Sequence, residues 1–150
     1  MGSGPIHLTK RFFGALSRRE PVDVDLEWVS HQLAAGEFAI WSAMEAHDRR
    51  HSIMVARRFC ESRGVEVSRD EIAAALLHDV GKLASGLGVM SRILATLVGP
   101  RGRRFSAYHR HESIGADMCA AAGSTESTLA ILRGTGDADV IRLLRLADDL

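Results

Sequence analysis

Apolar positions recur along this chain at spacings of three and four residues, and no segment alternates convincingly with period two. The pattern predicts helices and no strands. Residues 6–18 read as a short helix with a basic side of Lys10, Arg11, Arg18 and Arg19, ended by Pro21. Asp23 or Asp25 is expected to cap a second helix running to about Ala35. Gly36 then interrupts, before a short helix over residues 37–44. Asp48 is the expected N-cap of a helix that ends near Ser62, with Gly64 as its stop signal. Ser68-Arg69-Asp70-Glu71 has the capping-box pattern and opens the most apolar helix, expected to reach about Ala84. Gly86 and Gly88 mark a turn, residues 89–98 a further helix closed by Gly99-Pro100, and residues 101–104 a basic loop. A helix over residues 106–122 ends at Gly123. Ser124 or Thr125 starts a short helix to about Arg133, and Asp137 caps the last one, to Leu150. The expected fold is an all-α bundle of about seven to nine helices, with no linker or repeat that divides it.

Composition narrows the function classes. In 150 residues, 46% are apolar and 5% aromatic, enough for one compact domain with a core of aliphatic side chains. The 19 basic and 19 acidic residues cancel, so there is no global electrostatic case for a nucleic-acid or membrane-surface protein. Two cysteines, Cys60 and Cys119, are too few for a disulfide scaffold and read as reduced thiols near the core. Neither a secretory pattern nor an apolar run of about 18 residues is visible. A cytoplasmic protein is the expectation. Trp28 and Trp41 are expected to anchor an N-terminal layer to the core.

The candidate chemistry starts at the end of the apolar run Ile72-Ala73-Ala74-Ala75-Leu76-Leu77, where His78-Asp79 follow. Two adjacent metal-competent side chains there are costly to bury unpaired, and a cation would satisfy both. His51 lies on a stripe with Val55 and Phe59, Met54 alongside, so its imidazole is expected to point inward. In the last helix Ile141, Leu144 and Asp148 share one face. Arg142, Arg145 and Asp149 share another, with an exposed Arg145–Asp149 pair expected. Asp148 is thus the inward acid and Asp149 the surface one. In the helix over residues 106–122 the inner side carries His111, Ile114, Gly115 and Met118. His51, His78, Asp79 and Asp148 would leave positions open on a six-coordinate metal for water and a phosphate oxygen, the equipment of metal-assisted hydrolysis. Lys82, one turn after His78, can reach the same mouth and hold a phosphate as a point charge. Gly81 permits a close backbone approach.

These residues resemble the HD-domain superfamily of metal-dependent phosphohydrolases, in particular its small stand-alone bacterial members. The family pattern is a His, a His-Asp pair and a distant Asp, each on a helix. Here it reads His51-Ser52-Ile53-Met54-Val55-Ala56, Leu76-Leu77-His78-Asp79-Val80-Gly81-Lys82 and Leu146-Ala147-Asp148. The resemblance covers residues 46–150, with residues 1–45 as a helical extension packed on that domain. It implies a helical bundle that hydrolyses a small phosphorylated metabolite, with nucleotides foremost, by attack of a metal-activated water on phosphorus. Two-metal members carry two further histidines. His111 fits the first, and Leu132-Arg133-Gly134-Thr135-Gly136 offers none for the second. The resemblance therefore implies one divalent ion per chain (Mn, Fe, Co, Ni, Zn or Mg) on His51, His78, Asp79 and Asp148. Asp79, Lys82 and His111 are then the catalytic candidates, with His111 rather than Glu112 as proton carrier. Lys82, His111, Arg103 and Arg104 are candidates for substrate binding, although Arg103 and Arg104 also read as a solvated loop. The alternative within the same fold is a non-catalytic module that binds a nucleotide or a protein partner.

Overall fold

A computed structural model describes residues 19–64, 66–85 and 111–150, of which the side chains of Ala84, Ser85, His111 and Glu112 are not described. Among these residues the fold is all-α, with seven α-helices and no strand. They are α1 (Asp23–Gln32), α2 (Ala35–Ser42), α3 (Ala46–Arg63), α4 (Arg69–Leu77), α5 (His111–Ala121), α6 (Glu126–Leu132) and α7 (Ala138–Asp149), with a 3-10 helix, Val80–Ser85, after α4. The expected helices over residues 6–18 and 89–98 and the basic loop with Arg103 and Arg104 lie outside the described residues. No helix among the described residues is long and apolar enough to cross a membrane.

The punctuation read from sequence sets several boundaries. Ser68 Oγ accepts the Glu71 N–H while Glu71 accepts the Ser68 N–H, a reciprocal capping box at the start of α4. Thr125 and Asp137 cap α6 and α7 through their side chains. Gly64 ends α3 in the left-handed region, at φ +65°, where glycine carries no steric penalty.

Several expectations change, among them the cap of α1, whose N-cap residue is Val22 rather than Asp23 or Asp25. Asp48 is not a cap: α3 begins at Ala46, and Asp48 sits in its first turn, where a carboxylate meets the positive end of the helix dipole. Helix α1 stops at Gln32, and Gly36 lies inside α2 rather than between helices. The reason is tertiary. A β-carbon on Gly36 would come 2.1 Å from the Ala122 carbonyl oxygen, so glycine lets α2 lie against the end of α5. Met54 is 41% exposed, and Ser52 and Ile53 take the buried side of α3 beside Val55, Ala56 and Phe59. On α7, Arg142 pairs with Asp139 at 3.1 Å, and no ion pair joins Arg145 to Asp149.

The core runs through the whole described chain. Val29 of α1, its C-cap residue Leu33 and Trp41 of α2 share one apolar cluster with Ala73, Leu76 and Leu77 of α4 and Met118 of α5. Trp41 is fully buried, and its indole N–H donates to Ser52 Oγ at 2.9 Å, tying α2 to α3 next to His51. Trp28 is only partly buried and carries the Arg57 guanidinium 3.9 Å over its ring. Glu37, almost fully buried, accepts from the Ala34 N–H at 2.8 Å and from Ser124 Oγ at 2.6 Å, so both of its oxygens are satisfied. Gly36 and Glu37 together clamp α2 onto the α5–α6 corner. Because the Ala122 oxygen is backbone and cannot rotate away, Gly36→Ala is expected to cost about 1–3 kcal/mol, as overpacking does. A urea midpoint equal to wild type would remove this account of the clamp.

Candidate metal centre

The centre is built from three segments, and each is aimed by a local feature of the sequence. Helix α4 stops at Leu77, seven residues short of the expected end, and the chain tightens into the 3-10 helix. His78 is the C-cap residue at this joint. Its Nδ1 lies 2.6 Å from the Ala75 carbonyl oxygen, one of the last carbonyls of α4, which lack a donor within the helix. A carbonyl only accepts, so Nδ1 carries the hydrogen, and Nε2 is left facing the site. This is the second-ring-nitrogen contact that fixes the tautomer and orientation of metal-binding histidines. The 3-10 helix is held from behind by α5. A β-carbon on Gly115 would stand 3.1 Å from the Gly81 nitrogen, so two glycines allow near backbone contact there.

His51 comes from α3 and Asp148 from the last turn of α7. His51 Nε2 lies 2.8 Å and His78 Nε2 3.2 Å from the same Asp148 oxygen, Oδ1. Asp79 Oδ2 is 3.4 Å from His78 Nε2. One donor atom from each of His51, His78, Asp79 and Asp148 falls within 4.8 Å of all the others. The structure thus brings together the four residues selected from helix faces. All four are half-buried, at the edge of the core rather than in it. Lys82 stands at the rim, its ammonium 3.0 Å from Asp79 Oδ2.

Electrostatics show what the arrangement requires. Two imidazole nitrogens and two carboxylates converge, and with Nδ1 already donating, a neutral His78 would turn its Nε2 lone pair toward carboxylate oxygens. Positive charge is needed between them, from a proton or a metal ion. Burial alone would lower the His78 pKa, but hydrogen bonds to Asp148 and Asp79 and the Asp79 charge outweigh it and push it up to about 10. Burial likewise opposes ionisation of Asp79, yet the His78 contact and the Lys82 charge bring it down to about 2. His51, then His78, hold the Asp148 carboxyl well below the usual carboxylate range. The donor set fits a divalent transition metal, since imidazole and carboxylate are its ordinary ligands and a cation would replace the proton that His78 otherwise retains.

Three contributors escaped the sequence reading. Arg58, two turns after His51 on α3, reaches the Ala147 carbonyl at 3.4 Å and places positive charge at the C-terminal end of α7, beside Asp148. Its spacing of seven from His51 was the available signal. Asp48, expected only as a cap, faces Lys82 at 3.8 Å. The Ala75 carbonyl that orients His78 is backbone and leaves no trace in the sequence. Of the remaining candidates, the His111 side chain, Arg103 and Arg104 lie outside the described residues. In comparisons with protein-family models, curated proteins and solved structures, none matches this chain.

Proposed function

We propose that this chain is a metal-dependent phosphohydrolase of the HD-domain type, acting on a small phosphorylated metabolite, with nucleotides as the leading substrate class. The observation that carries the reading is the convergence of two imidazole nitrogens on one carboxylate oxygen, with a second carboxylate and an ammonium beside them. His51, His78, Asp79 and Asp148 would hold one divalent ion. Such an ion, when bound, supplies Lewis acidity that makes a water nucleophilic toward phosphorus and offsets phosphate charge.

The chain's own residues supply the remainder. The Ala75 carbonyl keeps the His78 ring in the tautomer that offers Nε2. Asp148 is gripped by both histidines, and its negative charge is retained at any physiological pH. Lys82, half-exposed at the rim, is within reach of an incoming phosphate and can hold it as a point charge beside the half-buried ligands. His111 is the proposed proton carrier to the leaving group.

The test is phosphate release by the full chain loaded in turn with Mn2+, Fe2+, Co2+, Ni2+, Zn2+ and Mg2+, on a panel of nucleoside mono-, di- and cyclic phosphates. Metal-dependent turnover of at least one class is expected, abolished by a chelator. Stoichiometric metal with no turnover would point instead to the non-catalytic binding module. A chain that takes up no transition metal would overturn the reading.

A further inference from the structure

Of the 19 basic residues of this chain two are lysines, Lys10 and Lys82, and the rest are arginines. The centre thus carries at its rim a residue type that the chain otherwise hardly uses. The two types are held differently. A guanidinium is a rigid fork that fixes its own direction against a carboxylate or phosphate. An ammonium is a compact charge on a flexible four-carbon stem, and it sits where its neighbours hold it. The Lys82 side chain is 52% exposed, so packing does little to fix it. Its ammonium lies 3.0 Å from Asp79 Oδ2 and 3.8 Å from Asp48 Oδ1. Asp48, only 16% exposed, comes from the first turn of α3, three residues before His51. His47 Nε2 stands 3.3 Å from the same Asp48 oxygen. Asp48 does not belong to the metal-competent group, which is His51, His78, Asp79 and Asp148.

We propose that Asp48 is a positioning residue: acting through Lys82, it holds the ammonium at the rim of the centre, where an incoming phosphate meets it. The inference rests on the metal reading above. Asp79 is one of the candidate ligands, and a cation held there draws on the negative charge that Asp79 otherwise offers the ammonium. Asp48 lies outside the ligand group and keeps its full charge for Lys82. An acid beside an anion site otherwise works against binding, because like charges repel. The sign of its effect therefore separates two roles. If Asp48 is a bystander, it weakens phosphate binding, and its removal strengthens it. If Asp48 positions Lys82, its removal weakens phosphate binding as long as Lys82 is there to be placed.

The experiment reads phosphate affinity rather than turnover. The full chain, Asp48→Asn, Lys82→Met and the double variant are loaded with Mn2+ and matched in metal content by elemental mass spectrometry. Each is then titrated with inorganic phosphate by calorimetry. Asp48→Asn is expected to weaken phosphate binding by about three- to fivefold, the scale of a half-exposed ion pair, and Asp48→Glu to restore it. In the Lys82→Met background the same Asp48→Asn change should instead strengthen binding, since only repulsion is then removed. Asp48→Ser provides a second removal of the charge, should the asparagine variant misfold, and circular dichroism checks both. Phosphate bound as tightly without the Asp48 charge as with it, or weakened equally with and without Lys82, overturns the proposal and leaves the phosphohydrolase reading intact. Wild type that binds phosphate no better than Lys82→Met does the same. No Mn2+ in wild type removes that reading and this one with it.

Discussion

Asp148→Asn is expected to lower metal affinity and phosphate release by at least about 100-fold, while Asp149→Asn, one residue on, leaves both within about twofold of wild type. Outer partners of metal ligands typically cost about 10–100-fold when removed, and a ligand contacted by both histidines should cost no less. The amide keeps the size of the side chain but loses the charge that both imidazoles face at 2.8 and 3.2 Å. Asp149 is exposed and has no part in the cluster. The neighbouring substitution therefore controls for any general effect on α7. Calorimetric metal titration and phosphate release on the same samples provide the check, with circular dichroism to confirm that the helices persist. Equal losses in the two variants would mean that the end of α7, not the Asp148 carboxylate, is what matters.

The second large effect is on pH. A metal at His78 Nε2 must displace the proton that Asp148 and Asp79 stabilise there, so metal and proton compete. With the His78 pKa pushed up to about 10, apparent metal affinity should rise about tenfold per pH unit from neutrality toward that value. About one proton should leave per metal bound, measurable at pH 8 by calorimetry in buffers of different ionisation enthalpy. Affinity flat between pH 7 and 9 would contradict a protonated His78. Without metal the sign of the stability effect reverses. A raised histidine pKa stabilises the fold fully below its ordinary value of 6.5, and that contribution is lost as pH rises through about 10. Asp79 runs the other way. Its lowered pKa contributes above the ordinary carboxylate range and is lost as pH falls toward about 2. The metal-free fold should thus gain most from these two residues in the mildly acidic range. The metal-loaded fold should gain most at alkaline pH.

What could be read from sequence was local or periodic. The inward stripe of α3 selected His51, and the same reasoning separated Asp148 from Asp149 on α7, because a helix face is set by 3.6-residue geometry before any packing. Caps at Ser68, Thr125 and Asp137 and the stop at Gly64 were legible because each satisfies backbone groups within a few residues of itself. Misplaced boundaries had distant causes. Gly36 looks like a helix breaker, and only the Ala122 carbonyl shows that it is there for close approach. The end of α4 at Leu77 follows from His78 capping Ala75 and from α5 pressing Gly115 against Gly81, neither of which a one-dimensional pattern contains. Asp48 has the composition of a cap, yet the chain enters the helix two residues earlier and turns that carboxylate toward Lys82.

His51 and Asp148 meet across 97 positions of sequence, and His78 and Asp148 across 70. The α3–α4 pair, with the joint that follows it, carries His51, His78 and Asp79, and the fourth residue, Asp148, arrives only when α7 docks. Closing loops of that length is paid for in chain entropy before any metal–ligand bond is gained, so the centre belongs with the late, non-local steps of folding. A metal ion bound by all four residues would then read native topology as a whole, discriminating the folded chain from partly folded forms in which α7 has come away. Occupancy should raise the melting temperature with metal concentration and slow amide exchange in α3 and α7 together, as one cooperative unit.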